Sequence, residues 1–257
     1  MSKSLPNGIG TVIVKHANPC GVSIHHDKIK SFNLALNSDP ISAYGGIVSC
    51  NFKIEKNMAK ELTKIFFEVI IGKGFSKDAL KEFKKKKNIR IIDSSNFELK
   101  KYESINSSFK NILIQSSDDH NFSRKDFEVV SKNKPSKKSF DNLIFAFNVC
   151  RFVKSNAIVI VKNGSTIGIG SGQPSRIDSC KIAINKMKNF QKDLNKHEII
   201  AASDAFFPFI DGPETLVHSG VSIIVQPFGS IRDKEIIKYA NKTGIVLVFS
   251  KTRHFKH

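Results

Sequence analysis

Residues 56–92 read KNMAKELTKIFFEVIIGKGFSKDALKEFKKKKNIRII, and residues 214–249 read ETLVHSGVSIIVQPFGSIRDKEIIKYANKTGIVLVF. The two stretches align block for block. Each opens on a helical pattern, passes into a short apolar strand (68–71 and 222–226), and turns at glycine. Each then continues as a helix (77–86 and 233–242) and closes on a second strand (88–92 and 245–249). In the first stretch Ser76 is placed to cap the second helix, with Asp78 in its opening turn where a negative charge suits the helix dipole. Self-similarity at this length predicts two copies of one α/β unit. Alternating strands and helices with short connections predict three layers, with helices on both faces of each sheet.

Upstream of each copy lies an apolar strand. In the first, Thr11-Val-Ile-Val14 runs into Lys15-His16, and Asn-Pro-Cys-Gly21 reads as a turn that stops the strand. A helix over 28–36 and the loop Asp39-Pro-Ile-Ser-Ala-Tyr-Gly-Gly46 follow, then a helix over 56–66. In the second copy a helix over 139–153 carries the stripe Leu143, Phe147, Cys150 and Val153. Two strands then flank Asn163-Gly164, a strong hairpin signal. A helix over 175–187, a strand over 199–202 and a short helix over 214–219 complete the unit. No helix precedes the first opening strand, so the first unit reads as truncated at its N-terminus. The expected organisation is a first subdomain over 11–92, a polar connector over 93–137 with one short strand near 112–114, and a second subdomain over 138–257. The connector is the expected mobile segment, and residues 1–10 are expected to carry little structure.

The chain has 257 residues and a formal charge of +18. Six of its 41 basic residues are Arg (90, 124, 151, 176, 232 and 253) and the rest are Lys, scattered except for the run at 84–87. Arg is the usual bidentate reader of phosphate and base edges, so this pattern does not predict a nucleic-acid surface. It does favour anionic small molecules. The four cysteines are far apart with no CxxC pair, which predicts reduced thiols in a cytoplasmic protein. No apolar run matches a membrane span.

Chemistry-bearing side chains cluster in a few places. Lys15-His16 can supply a cation and a neutral base from one strand end. Lys154-Ser155-Asn156 reads as the matching strand edge of the second copy. Ile167-Gly-Ile-Gly-Ser-Gly-Gln173 precedes a helix and could admit a phosphate or ring, although it does not fit the dinucleotide fingerprint. Arg176 in the first turn of that helix is poorly placed for the dipole, as if held for a ligand. Ser203-Asp-Ala-Phe-Phe-Pro-Phe209 offers rings for stacking. No zinc-deaminase ligand set can be assembled, and no metal is expected.

Seven segments, in order, resemble the AICAR transformylase domain, the C-terminal part of a bifunctional purine-biosynthesis family. They are Lys15-His-Ala-Asn-Pro-Cys-Gly21, Asp39-Pro-Ile-Ser-Ala-Tyr-Gly-Gly46, Val153-Lys-Ser-Asn-Ala157, Ile167-Gly-Ile-Gly-Ser-Gly-Gln-Pro-Ser-Arg176, Ala202-Ser-Asp-Ala-Phe-Phe-Pro-Phe209, Gln226-Pro-Phe-Gly-Ser-Ile-Arg-Asp233 and Arg253-His-Phe-Lys-His257. The resemblance implies duplicated three-layer α/β/α cytidine-deaminase-like units without zinc. It implies formyl transfer from 10-formyltetrahydrofolate to the 5-amino group of AICAR, giving FAICAR. An aromatic amine must lose a proton as it attacks, and the resemblance makes His16 the base. Lys15 would stabilise developing negative charge or protonate the leaving nitrogen, and Asn156 would hydrogen-bond at the same centre. Substrate contacts implied in the same way are Tyr44, Gly45, Glu68, Arg176, Phe206 and Arg253. Folate contacts would be Ile177, Asp211, Ser230 and Ile231. Ile210 replaces the family's usual Arg. A cyclohydrolase domain and an Arg-Tyr-Gly-x-Asn-Pro-His-Gln phosphate anchor precede this region in the family, and neither motif occurs here. The expected assembly is a homodimer with an interfacial active site, served by a separate N-terminal chain if one exists. The alternative expectation is a remnant that binds nucleotide or folate, or dimerises, without turnover.

Overall fold

The computed structural model describes residues 1–98, 103–191, 194 and 198–256. After a 3-10 turn (Ser2–Ser4), β1 (Gly10–Lys15) and β2 (Asn18–Ile24) form a hairpin. Then come α1 (Lys28–Leu36), the single turn α2 (Pro40–Ala43), β3 (Ile47–Cys50), α3 (Lys56–Leu62), β4 (Val69–Gly72), α4 (Lys77–Lys84) and β5 (Arg90–Asp93). An exposed hairpin, β6 (Glu103–Ser108) and β7 (Asn111–Ser116), and the short β8 (Phe127–Val129) lead to the second half. That half is α5 (Lys137–Cys150), β9 (Ile158–Lys162), β10 (Ser165–Gly170), α6 (Arg176–Phe190), β11 (Ile200–Ser203), α7 (Asp211–His218), β12 (Ile223–Pro227), α8 (Asp233–Thr243) and β13 (Val246–Ser250).

The main sheet is mixed and 11-stranded, in the order β5-β4-β3-β1-β2-β10-β9-β11-β12-β13-β8. Read outward from the β2–β10 seam, β1-β3-β4-β5 on one side repeats as β9-β11-β12-β13 on the other. The register repeats too. Val12 pairs with Ser49 and Ile13 with Val48 across β1–β3, as Val159 pairs with Ala202 and Ile160 with Ala201 across β9–β11. Val48 lies beside Ile70 as Ala201 lies beside Ile224. Residues 56–92 and 214–249 therefore fold into the same elements in the same order.

The halves share one sheet instead of having one each, because β2 pairs antiparallel with β10 at Ser23–Ser165. Helices α1 and α6 lie over the two hairpins, and glycine lets them approach. A Cβ on Gly21 would stand 1.8 Å from the Ala35 carbonyl oxygen, and one on Gly168 would stand 2.1 Å from that of Ala183. Gly170 faces the Ser179 carbonyl at 1.9 Å in the same sense. Gly168 and Gly170 thus serve strand-to-helix packing inside β10, while Gly172 lies beyond the strand at φ 67° with no atom within 4 Å of its Cβ position. Across the seam, Lys186 Nζ lies 2.8 Å from the buried Asp39 Oδ2, and Gln191 Nε2 donates to the Asn37 carbonyl at 2.9 Å. Burial alone would raise the Asp39 pKa, but the Lys186 ammonium and the Ser42 bonds outweigh it and hold the carboxyl below its usual range.

Three cores follow from this arrangement. In the second half α5 covers one face, laying Phe140, Leu143 and Phe147 on Val159, Ala202 and Val225. The expected α5 stripe, Leu143, Phe147, Cys150 and Val153, is fully buried. On the opposite face α6, α7 and α8 bring Met187, Leu216 and Ile236 to Ile160, Ala201 and Ile224. In the first half Phe32, Met58, Leu62 and Phe83 from α1, α3 and α4 pack on Ile13, Val48 and Ile70. Each such side chain, fully buried, contributes about 1.5–3 kcal/mol. Among the described residues, helices therefore cover both faces of the second half and one face of the first.

Two other expectations are corrected. Residues 1–10 are organised: Asn51 Nδ2 donates to the carbonyls of Ser2, Leu5 and Pro6, and Leu5 is buried. The connector contributes β8, which pairs with β13 at the sheet edge. Its residues 118–122 also pack against the second half. Asp118 Oδ2 lies 2.5 Å from His254 Nδ1, and the Phe122 ring meets those of Phe147 and His254. A polar composition concealed these anchors, which rest on one carboxylate and one ring.

Candidate active site

β1 ends on Lys15, and the chain reverses through His16 and Ala17, whose φ values are 51° and 61°. This is the two-residue turn whose twist matches a hairpin. In the second half the turn at the same topological place is Asn163-Gly164, with φ of 48° and 72°. Asn and Gly adopt this conformation readily, whereas residues with an ordinary side chain do so at a cost of about 1–2 kcal/mol. Strained turns of this kind concentrate at functional sites. Two expectations change here. Asn18-Pro-Cys-Gly21 does not stop the strand but continues it as β2, with Pro19 accommodated where the register shifts. The topological counterpart of Lys15-His16 is Lys162-Asn163, not Lys154-Ser155-Asn156.

Lys154–Asn156 nonetheless comes to the same place by another route. β2 and β10 run antiparallel, so the β1–β2 turn lies beside the entry to β9. Asn18 Oδ1 accepts from the Lys154 N–H at 3.0 Å. The C-terminal tail joins them: Lys256 Nζ donates to the carbonyls of Phe152 at 3.0 Å and Ala17 at 3.5 Å. Burial, and then the neighbouring Lys154, lower the Lys256 pKa. Lys15 Nζ reaches the other way and donates to the Tyr44 carbonyl at 2.7 Å. His16 is exposed at the tip of this edge.

Beyond Asn156 opens a cavity of about 530 Å³. Asn156, Arg176, Ile177, Phe206, Asp211 and Arg253 all line it, joined by the rings of Phe207, Phe209 and Phe255. Arg176 lines it and is itself buried. Its guanidinium donates to Asp204 Oδ1, to Ser203 Oγ at 2.8 Å and to Asn156 Oδ1 at 2.6 Å. Asp204, fully buried, also accepts from Ser155 Oγ at 2.6 Å. Asn156 Nδ2 donates in turn to the carbonyls of Gln173 and Pro174. The odd helix position of Arg176 is thus explained by an internal carboxylate that orders the mouth of the cavity. Asp204 went unassigned in the sequence. The signal was present as an acidic residue closing the apolar run 199–202, in a chain where one Arg sits at a helix start.

The remaining predicted residues lie elsewhere on the same sheet edge. Tyr44 and Gly45 precede β3, Glu68 precedes β4, and the Tyr44 and Phe66 rings are 5.6 Å apart. Glu68 lines an open recess of about 350 Å³ with Phe66 and Arg90. In strand order β3 and β11 are five spacings apart, or about 24 Å, so this group does not reach the Phe206 cavity of its own chain. Ser230 and Ile231 stand in the loop between β12 and α8 and do not line the cavity. Arg232 of that loop lies over the Phe209 ring at 5.2 Å. His257 lies outside the described residues.

All four thiols are buried, and burial pushes Cys20 up to about 11 and Cys50 and Cys180 up to about 12. Cys20, in the hairpin motif, is therefore no nucleophile at neutral pH. Among the described residues no group of three or more His, Cys, Asp or Glu side chains is placed to hold a metal ion. Nor is any described helix long and apolar enough to cross a membrane.

The fold and site together define a mixed α/β protein with a large sheet flanked by helices and a polar, aromatic-lined edge. Residues 3–186 match the AICARFT/IMPCHase bienzyme family, and the chain belongs to that family of purine-biosynthesis enzymes. It is similar to the bifunctional purine biosynthesis protein PurH of Aquifex aeolicus, with 42% identity over 256 residues. The PurH proteins of Persephonella marina and Buchnera aphidicola subsp. Schizaphis graminum are 44% and 46% identical to it over 251 and 248 residues. These alignments cover 96–98% of this chain and 47–49% of each relative, so the chain spans about half their length.

Proposed function

We propose that this chain carries the formyl-transfer half of the family's chemistry: formyl transfer from 10-formyltetrahydrofolate to the 5-amino group of AICAR. The observation that carries the reading is the meeting of Asn156, Arg176, Ile177, Phe206, Asp211 and Arg253 in one cavity beside the Lys15-His16 turn. A cavity of about 530 Å³ has the size of a small-molecule site. Its rings suit a planar heterocycle, Arg253 suits an anionic group, and Asp211 can accept from ring N–H donors. The folate co-substrate supplies the activated formyl group. His16 takes the proton from the amine as it attacks. Lys15, tethered to the Tyr44 carbonyl, stabilises negative charge developing on the formyl oxygen, and Asn156 fixes the amine's orientation. We read the repeated strand order as the duplicated cytidine-deaminase-like unit of this family.

The separation of the Tyr44, Gly45 and Glu68 group from the Phe206 cavity supports a homodimer. Each complete site would then take one group from each copy. The test is FAICAR formation from AICAR and 10-formyltetrahydrofolate. His16→Ala is expected to lower the rate about 10²–10⁴-fold with the fold intact. An unchanged rate removes His16 from the chemistry. Substrate binding without any turnover in the wild-type chain would favour the remnant reading.

A further inference from the structure

Exposure alternates along residues 253–255. Arg253 and Phe255 are exposed and line the cavity, with the Arg253 guanidinium 5.0 Å from the centre of the Phe255 ring, whereas His254 between them is buried. Such alternation is the pattern of an extended chain, whose successive side chains point to opposite sides. Whatever seats His254 therefore also aims its two neighbours. The backbone here is tied at two points: the His254 N–H donates to the Asp204 carbonyl at 2.8 Å, and the Ser155 N–H donates to the Lys256 carbonyl at 2.9 Å. These bonds are the same for any side chain. They do not by themselves oppose a slip of one residue, which would turn Arg253 and Phe255 away from the cavity. The side chain of His254 does oppose it. Its imidazole sits against the Phe147 and Phe122 rings, at 4.6 and 5.4 Å between centroids, and Nδ1 meets Asp118 Oδ2 at 2.5 Å. Burial alone would raise the Asp118 pKa, but the His254 bond and the nearby Arg151 outweigh it and hold the carboxyl below its usual range. Asp118 is therefore an ionised acceptor at neutral pH, and Nδ1 donates to it. His254 Nε2 is buried and makes no hydrogen bond among the described residues, so the Asp118 bond is the imidazole's one polar tether there.

We propose that Asp118 is a positioning residue for the candidate site: through His254 it holds residues 253–256 in the register that aims Arg253 and Phe255 into the cavity. The inference rests on the formyl-transfer reading, in which Arg253 meets an anionic group of the substrate. It gives the polar connector a part in the site, since Asp118 lies 136 residues before His254 and reaches it only through the fold. The Arg253 contact serves bound substrate and transition state alike, so loss of Asp118 raises the KM for AICAR and leaves kcat.

The test compares Asp118→Ala, His254→Leu and the double variant with the wild type, since leucine fills the ring-lined socket without a polar atom. Each single change is expected to raise the AICAR KM about tenfold and to leave kcat within about twofold. The double variant is expected to match the single ones, because both act through one contact. In Asp118→Ala the His254 amide should exchange with deuterium about tenfold faster, while the α5 amides keep their rates. An unchanged KM, an unchanged His254 amide, or a double variant near a hundredfold, where the two effects simply add, overturns the proposal. So does faster exchange throughout α5, which would make Asp118 a general stabiliser of the fold. A wild type that forms no FAICAR overturns the formyl-transfer reading alone. The AICAR Kd from calorimetry then replaces KM beside the same exchange rates, and absence of any AICAR binding overturns both.

Discussion

Replacing Asp204 with Asn preserves the shape of the side chain and removes its charge. The Arg176 guanidinium is then left without a counter-ion in a place that water scarcely reaches. The two side chains are 8% and 1% exposed. Breaking one partner of such a pair costs about 3–5 kcal/mol, because the surviving charge is buried and uncompensated. The Ser155 hydroxyl also donates to Asp204, and the Arg176 guanidinium donates to Ser203 and Asn156 as well, so the loss reaches into the cavity mouth. With a urea m-value of about 2 kcal/mol/M, the midpoint should move down by roughly 2 M. Removing the whole pair, as Arg176→Met with Asp204→Leu, should cost less than the sum of the single changes, since no charge is stranded. Equilibrium urea unfolding of the wild type, Arg176→Met, Asp204→Leu and the double variant closes the cycle, with Asp204→Asn measured beside them. A shift under about 0.5 M for Asp204→Asn, or single effects that simply add, would refute the argument that a buried ion pair holds the site together.

Other consequences can be checked with the same unfolding assay. Gly168→Ala would drive a methyl against the Ala183 carbonyl and should cost about 3 kcal/mol or more; a neutral result would mean that α6 can shift away from β10. Ala17→Gly relaxes a residue held at φ 61° and should stabilise the hairpin by up to about 1 kcal/mol after the entropy of the added glycine is counted; destabilisation would contradict the turn geometry. The Asp39 carboxyl titrates below its usual range, so its contribution is fully present above the unfolded value near 3.9 and is lost as pH falls through the lower folded value. Lys186→Met should therefore weaken the protein near neutrality and converge with the wild type in strong acid. Parallel stability–pH curves would contradict that.

Much of this architecture was readable because it is written twice. The 56–92 and 214–249 stretches landed on the same elements, and the N-cap at Ser76, the α5 stripe and the Asn163-Gly164 turn obey local rules. What escaped was non-local. His16-Ala17 forms a left-handed turn without glycine, so β2 looked like a loop. Gly168 and Gly170 looked like part of a ligand loop because the helix backbone they face is contributed by residues 183 and 179. Whether two half-sets of site residues share one pocket depends on strand order across the seam, and no local pattern records it. The role of Asp204 is non-local in the same way, since its partner lies 28 residues away in sequence.

The central claim is that formyl transfer needs the Tyr44, Gly45 and Glu68 group of one copy and the Phe206–Arg253 cavity, with the Lys15-His16 turn beside it, of another. The most direct measurement is FAICAR formation by two inactive variants, Glu68→Ala and Arg253→Ala, assayed separately and after mixing under conditions that exchange subunits. Each variant alone should be inactive. In the mixture half the dimers are mixed and hold one intact site of two, so about a quarter of wild-type activity should return. A mixture as inactive as its components, although mixed dimers have formed, would contradict a site shared between copies.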